Sequence, residues 1–114
     1  MEEHVIKINI PPGWRGKKYI SSTGVMRINL EEIARRCEDP RYKYNTHEEY
    51  YAMAMPATDF RKICNLIVKY ASRRDYDTAE AVFTSSENDK AARIWTDAKA
   101  KFEGRRAGRN QHNA

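Results

Sequence analysis

The sequence predicts an α+β fold, with a small N-terminal antiparallel sheet of two or three strands packed on a bundle of about five helices. Three observations carry this. Val5-Ile6-Lys7-Ile8-Asn9-Ile10 alternates apolar and polar residues and is rich in β-branched side chains, the period-2 pattern of a strand with one buried face. From Leu30 onward apolar residues recur every three or four positions instead, the spacing of helices that bury one stripe. Asn29 with Glu32, Thr46 with Glu49 and Asp77 with Glu80 each have the spacing of a capping box, which satisfies the free N–H groups at a helix start.

A chain of 114 residues suits one domain. At this size roughly two-thirds of the unfolded surface is buried on folding, so no metal or disulfide staple is required. The domain is placed at residues 1–104, followed by a flexible basic tail at 105–114.

Taken in order, the first strand ends at Pro11-Pro12-Gly13, where Pro-Gly marks a turn. Lys18 to Ser21 reads as a short strand, Ser22-Thr23-Gly24 as a turn and Val25 to Ile28 as another strand. A lone hairpin is barely stable in water, so this sheet must pack on the helices. The first helix opens at Asn29, carries Leu30, Ile33, Ala34 and Cys37 on one face and stops before Pro40. Residues 38–45 form a loop. Thr46 opens a second helix through Tyr50, Tyr51, Met53 and Ala54 to Pro56, and Thr58 caps a third that runs to about Arg73. Phe60, Ile63, Leu66, Ile67, Tyr70 and Ala71 are its apolar positions. Asp77 starts a short helix through Ala79, Val82 and Phe83. Ser86 caps the last, whose stripe is Ala91, Ile94, Trp95, Ala98 and Phe102, with Gly104 as the residue that ends it. From Arg105 the chain has no aliphatic side chain beyond alanine, so nothing offsets the entropy of ordering it.

Two segments carry local family resemblances. Asp75-Tyr76-Asp77-Thr78-Ala79-Glu80-Ala81-Val82-Phe83 resembles the turn and second helix of a tetratricopeptide repeat, which implies a helical hairpin in a solenoid. A solenoid needs about three copies and this segment occurs once, so an ordinary helical hairpin is expected. Leu30-Glu31-Glu32-Ile33-Ala34-Arg35-Arg36-Cys37 resembles the first helix of a helix-turn-helix DNA reader. The pattern breaks at Glu38-Asp39-Pro40, and the next helix begins with Glu48 and Glu49, whose charge repels phosphates.

Catalytic motifs are incomplete. His47-Glu48-Glu49-Tyr50-Tyr51 puts tyrosine where a zinc helix of the HExxH type needs its second histidine. Pro11 to Lys18 departs from a phosphate loop at its first glycine and at its Ser/Thr. The carboxylate pairs Glu31-Glu32 and Glu48-Glu49 are neighbours in first helical turns, where they complement the helix dipole and do not face each other. No GxSxG elbow is present. The sequence therefore predicts a non-enzymatic protein without metal or cofactor. Cys37 and Cys64 fall in no paired motif and read as reduced, half-buried thiols, which suits a reducing compartment. With an acidic Met-Glu-Glu-His start and no run near the ~18 apolar residues of a spanning helix, a cytoplasmic location is expected.

Charge points to a partner. Residues 1–60 hold nine basic and nine acidic side chains, whereas residues 61–114 hold twelve and seven, so the whole +5 excess lies in the second half. In the third helix Arg61, Asn65, Lys69, Ser72 and Arg73 fall within about 120° of arc. Arg61, Lys69 and Arg73 have no acidic partner at helical spacing in that helix, while Asp89 and Asp97 precede Arg93 and Lys101 by four residues in the last. With Arg74 and the tail residues Arg105, Arg106 and Arg109, they make a candidate surface for the phosphates of a nucleic acid or nucleoprotein. A solvated helix face accounts for the same pattern and stays open. A second candidate surface joins the hairpin tip, Trp14 and Arg15, to a loop with Arg41, Tyr42, Lys43 and Tyr44, residue types that anchor protein interfaces. It suits a compact regulator or inhibitor of the viral or mobile-element kind, directed at a host or cellular protein.

Overall fold

Two strands and four helices make up the described part of the chain, residues 3–38 and 54–113 of a computed structural model, with side chains described as far as Glu103. The fold is α+β; among the described residues the sheet has two strands, and four of the about five expected helices are seen. β1 (Val5–Asn9) pairs antiparallel with β2 (Val25–Asn29), placing Val5 opposite Asn29, Lys7 opposite Arg27 and Asn9 opposite Val25. Burial alternates along both strands, so Ile6, Ile8, Met26 and Ile28 face the helices.

The expected strand at Lys18–Ser21 is a series of tight turns. After a 3-10 turn at Pro12–Trp14, the Gly16 N–H donates to the Ser21 carbonyl (3.0 Å) and the Ile20 N–H to the Lys17 carbonyl (2.8 Å). These local bonds use the backbone groups that a strand would offer a neighbour. Gly16 (φ +79°) and Tyr19 (φ +67°) both adopt the left-handed conformation, natural for glycine and costly for tyrosine.

α1 (Leu30–Arg36) starts as its capping spacing predicts, with the Glu32 N–H donating to the Asn29 side chain (3.1 Å). Past its end, the Met55 N–H donates to the Arg36 carbonyl (2.7 Å) and the Glu38 N–H to the Met55 carbonyl (2.8 Å). Ala54, Met55 and Pro56 therefore do not continue a helix, and the proline biases Met55 toward extended backbone. The rest of the helix expected from Thr46, and the loop before it, lie outside the described residues.

α2 (Ala57–Tyr70) follows Pro56 directly, and Thr58 is within its first turn instead of capping it. The cap comes from afar, since the Ala57 N–H donates to the Glu38 carboxylate (3.0 Å). α2 ends three residues before Arg73. There the Ser72 side chain accepts from the Asp75 N–H (3.2 Å) and opens α3 (Arg73–Thr84), so this cap prevails over the one expected at Asp77.

α4 (Asp89–Asn113) is capped by Asn88, not Ser86. The Asn88 side-chain oxygen accepts from the N–H groups of Lys90 (3.1 Å) and Ala91 (3.3 Å), while its amide donates to the carbonyls of Ala34 and Cys37 (both 2.8 Å). One side chain thus starts α4 and fastens it to the end of α1. The α4 backbone passes through Gly104, where a helix end is expected. A glycine inside a helix costs only about 1 kcal/mol relative to alanine and does not by itself stop one.

The core lies between the sheet and α2, α3 and α4. Phe60, Phe83 and Trp95 are fully buried and meet edge to face, with ring centroids 5.5 Å (Phe60–Phe83) and 5.2 Å (Phe83–Trp95) apart. Ile63, Ile67 and Trp95 are buried as their helical positions predict, and Phe102 packs at the rim.

Candidate nucleic-acid interface

The end of α2 and the start of α3 bring Lys69 and Arg73 to one end of the molecule, beside α4. Lys69, in the last turn of α2, holds its ammonium 5.4 Å from the Tyr70 ring centroid and 5.8 Å from that of Phe102 on α4. Tyr70 is 38% exposed, one of three large apolar side chains left open among the described residues. Arg73, in the first turn of α3, stands 5.7 Å over the Tyr76 ring. The Tyr76 hydroxyl in turn donates to Glu103 of α4 (3.0 Å). Burial first, then the Glu103 carboxylate, pushes that hydroxyl up to about 12, so it stays a donor at neutral pH. α4 continues directly from Phe102 and Glu103 into the segment that holds Arg105, Arg106 and Arg109, whose side chains lie outside the described residues.

The expected stripe is broken by the turn at Ala71. Arg61, Asn65 and Lys69 share α2, with Arg61 about 12 Å below Lys69 along the helix. Ser72 and Arg73 belong to α3. That reassignment corrects a second expectation, because Asp77 now lies one turn after Arg73 and pairs with it (3.3 Å). Arg61 and Arg74 are exposed and have no ion pair among the described residues. Arg74, together with Arg73, lines a cleft of about 1590 Å³ between α1, α3 and the start of α4. Most charges along that cleft are matched, as in His4–Glu31 (2.6 Å), Lys90–Glu38 (2.6 Å) and Arg73–Asp77. It presents no net cationic field.

The hairpin tip is a second cluster. Trp14 is half-buried with the Lys17 ammonium 5.0 Å from its ring, and Tyr19 lies between Lys18 (5.6 Å) and Arg36 (5.7 Å). Arg15 is partly structural: its Nε donates to the Ile10 carbonyl (3.0 Å), and its guanidinium packs so closely on Gly24 that a Cβ there would stand 3.2 Å away. Arg41, Tyr42, Lys43 and Tyr44 lie outside the described residues. Tyr19 escaped the sequence reading because a strand was expected over Lys18–Ser21, whereas Lys17 and Lys18 were legible as the basic end of the turn that follows Trp14. Lys7 and Arg27 escaped it because charge was counted along the chain and not across the sheet.

Both thiols are free and buried. Burial, with the Glu38 charge adding to it, pushes Cys37 up to about 11. Burial raises Cys64 well above its ordinary value, with Cys37 contributing. Among the described residues no three His, Cys, Asp or Glu side chains gather as a metal site, and no helix is long and apolar enough to cross a membrane. No family model matches the chain, and no curated protein or solved structure shows significant similarity to it.

Proposed function

We propose that this is a small non-enzymatic nucleic-acid- or nucleoprotein-binding factor acting in the cytoplasm. Lys69 and Arg73 hold phosphates together with Arg105, Arg106 and Arg109, while Arg61, farther along α2, and Arg74, on the charge-matched cleft, are outlying candidate contacts. The observation that carries this reading is the convergence of α2, α3 and α4 at one end, where Lys69, Tyr70, Arg73 and Phe102 surround the root of the arginine-rich segment. Cations beside partly open rings suit a ligand with phosphates and flat bases.

The test is retardation of labelled DNA and RNA at increasing salt. Phosphate contacts release counterions, so affinity falls steeply on a log–log plot, at about −0.9 per contact on duplex DNA. A second reading, a regulator that binds a cellular protein through the hairpin tip, is favoured by Tyr19, whose left-handed backbone is held between two cations. Strain of this kind concentrates at functional sites. Binding that is insensitive to salt and lost in Trp14→Ala would favour it.

A further inference from the structure

The outward face of the sheet carries a pair of charges that stability alone does not explain. Ladder bonds run between Ile10 and Gly24 and between Leu30 and His4, so the hydrogen-bonded pairs are the even-numbered ones. Lys7 opposite Arg27 is therefore a non-hydrogen-bonded pair, the class in which facing side chains are closest. Like charges placed so are destabilising. The face consists of Val5, Lys7, Asn9, Val25, Arg27 and Asn29, with no carboxylate among them, and neither Lys7 nor Arg27 has an ion pair among the described residues.

The face also has an internal symmetry. Val-Lys-Asn on β1 runs opposite Asn-Arg-Val on β2, so a local two-fold axis passes between Lys7 and Arg27. We infer that β1 and β2 form a ribbon that enters the major groove of duplex DNA, an assignment that rests on the nucleic-acid reading and names the substrate. Duplex DNA has a two-fold axis of the same kind at each base pair. A two-stranded ribbon fits a groove about 12 Å wide and not a minor groove of about 6 Å. The deep, narrow major groove of duplex RNA excludes it. Five residues per strand span about 17 Å, the length of about five base pairs.

The side chains suit base edges. Lys7 and Arg27 donate to guanine O6 and N7, the Asn9 amide matches adenine, and Val5 and Val25, 55% and 38% exposed, meet thymine methyls. Asn29 departs from the symmetry, since it caps α1 and donates to Glu3. The turn after Asn9 adds Lys17 and Lys18 at one end of the ribbon, whereas Glu3 and Glu31 lie at the other, so the charge along it is polar.

The experiment compares wild-type protein, the double variant Lys7→Gln/Arg27→Gln and the triple variant Arg105→Gln/Arg106→Gln/Arg109→Gln. Each is titrated with a 20-base-pair DNA duplex, the same sequence as an RNA duplex, and a single strand. Methyl green competes in the major groove and netropsin in the minor groove. The DNA duplex is expected to bind best, with methyl green displacing the protein and netropsin not. The double variant should lose about tenfold or more, on the order of one bidentate contact to a base edge, while melting at or above the wild-type temperature. The triple variant should stay sensitive to methyl green. Netropsin displacement, equal or better binding of RNA or of the single strand, wild-type affinity in the double variant, or a lower melting temperature for it would each overturn the ribbon assignment while leaving phosphate binding standing. No binding of any nucleic acid by wild-type protein overturns both.

Discussion

Asn88 holds the junction of α1 and α4, and replacing it separates two effects. Asn88→Ala removes a helix cap worth about 1 kcal/mol. It also removes two donated bonds that satisfy the Ala34 and Cys37 carbonyls, worth about 1 kcal/mol each. The expected loss is therefore roughly 3 kcal/mol, or about 12 °C or more in Tm for a domain of this size. Asn88→Asp keeps an oxygen to cap Lys90 and Ala91 but has no donor for the two carbonyls, and places negative charge beside them. It should cost about 2 kcal/mol or more. Urea unfolding followed by helical circular dichroism measures both. Asn88→Asp as stable as wild type would show that the bond to α1 contributes nothing. Asn88→Ala within about 0.5 kcal/mol of wild type would refute the junction altogether.

Trp95→Ala should cost about 3–5 kcal/mol, because the indole is fully buried against Phe83 and Tyr76 and its N–H donates to Glu80 (3.3 Å); a variant melting within a degree or two of wild type would contradict this packing. Three carboxyls are held below their ordinary value of 4.5: Glu3 by Asn29 and then Arg35, Glu38 by Lys90 and then the Ala57 N–H, and Glu31 where burial raises it but His4 outweighs that. Their stabilisation is fully present above about pH 4.5 and is lost as pH falls through the lower folded values, so Tm should drop between pH 5 and 3; a flat or rising Tm there would contradict it. Both thiols should resist a thiol reagent at pH 8 in the native protein and react once it is denatured, since burial keeps them protonated; rapid native labelling of either would refute their burial.

What the sequence made legible follows from which forces are local. The alternation in Val5–Asn9, the cap at Asn29 and the stripe through Ile63, Ile67 and Trp95 are periodic signals, and each appears in the structure as expected. Cap competition was less legible. Ser72 and Asp77 both have capping chemistry, and so do Ser86 and Asn88. The winners are fixed by packing, as when the Asn88 amide reaches α1 more than fifty residues earlier in the chain. The strand expected at Lys18–Ser21 failed because turns satisfy its backbone locally.

The candidate site was half legible for the same reason. Lys69 and the arginines near the C-terminus were visible as charges without helical partners. That α2 ends before Arg73, giving that arginine Asp77 as a partner, needed the turn at Ala71. The pair Lys7–Arg27 was invisible to any count along the chain, because only the strand register brings residues twenty apart face to face.

The most direct measurement is the salt dependence of DNA binding by wild-type protein beside the Arg105→Gln/Arg106→Gln/Arg109→Gln variant. If all seven cations Arg61, Lys69, Arg73, Arg74, Arg105, Arg106 and Arg109 engage phosphates, the log–log slope approaches about −6, and the variant flattens it by about 3. A wild-type protein that retards neither DNA nor RNA at low salt, or a slope unchanged by the three substitutions, would contradict nucleic-acid binding through this surface.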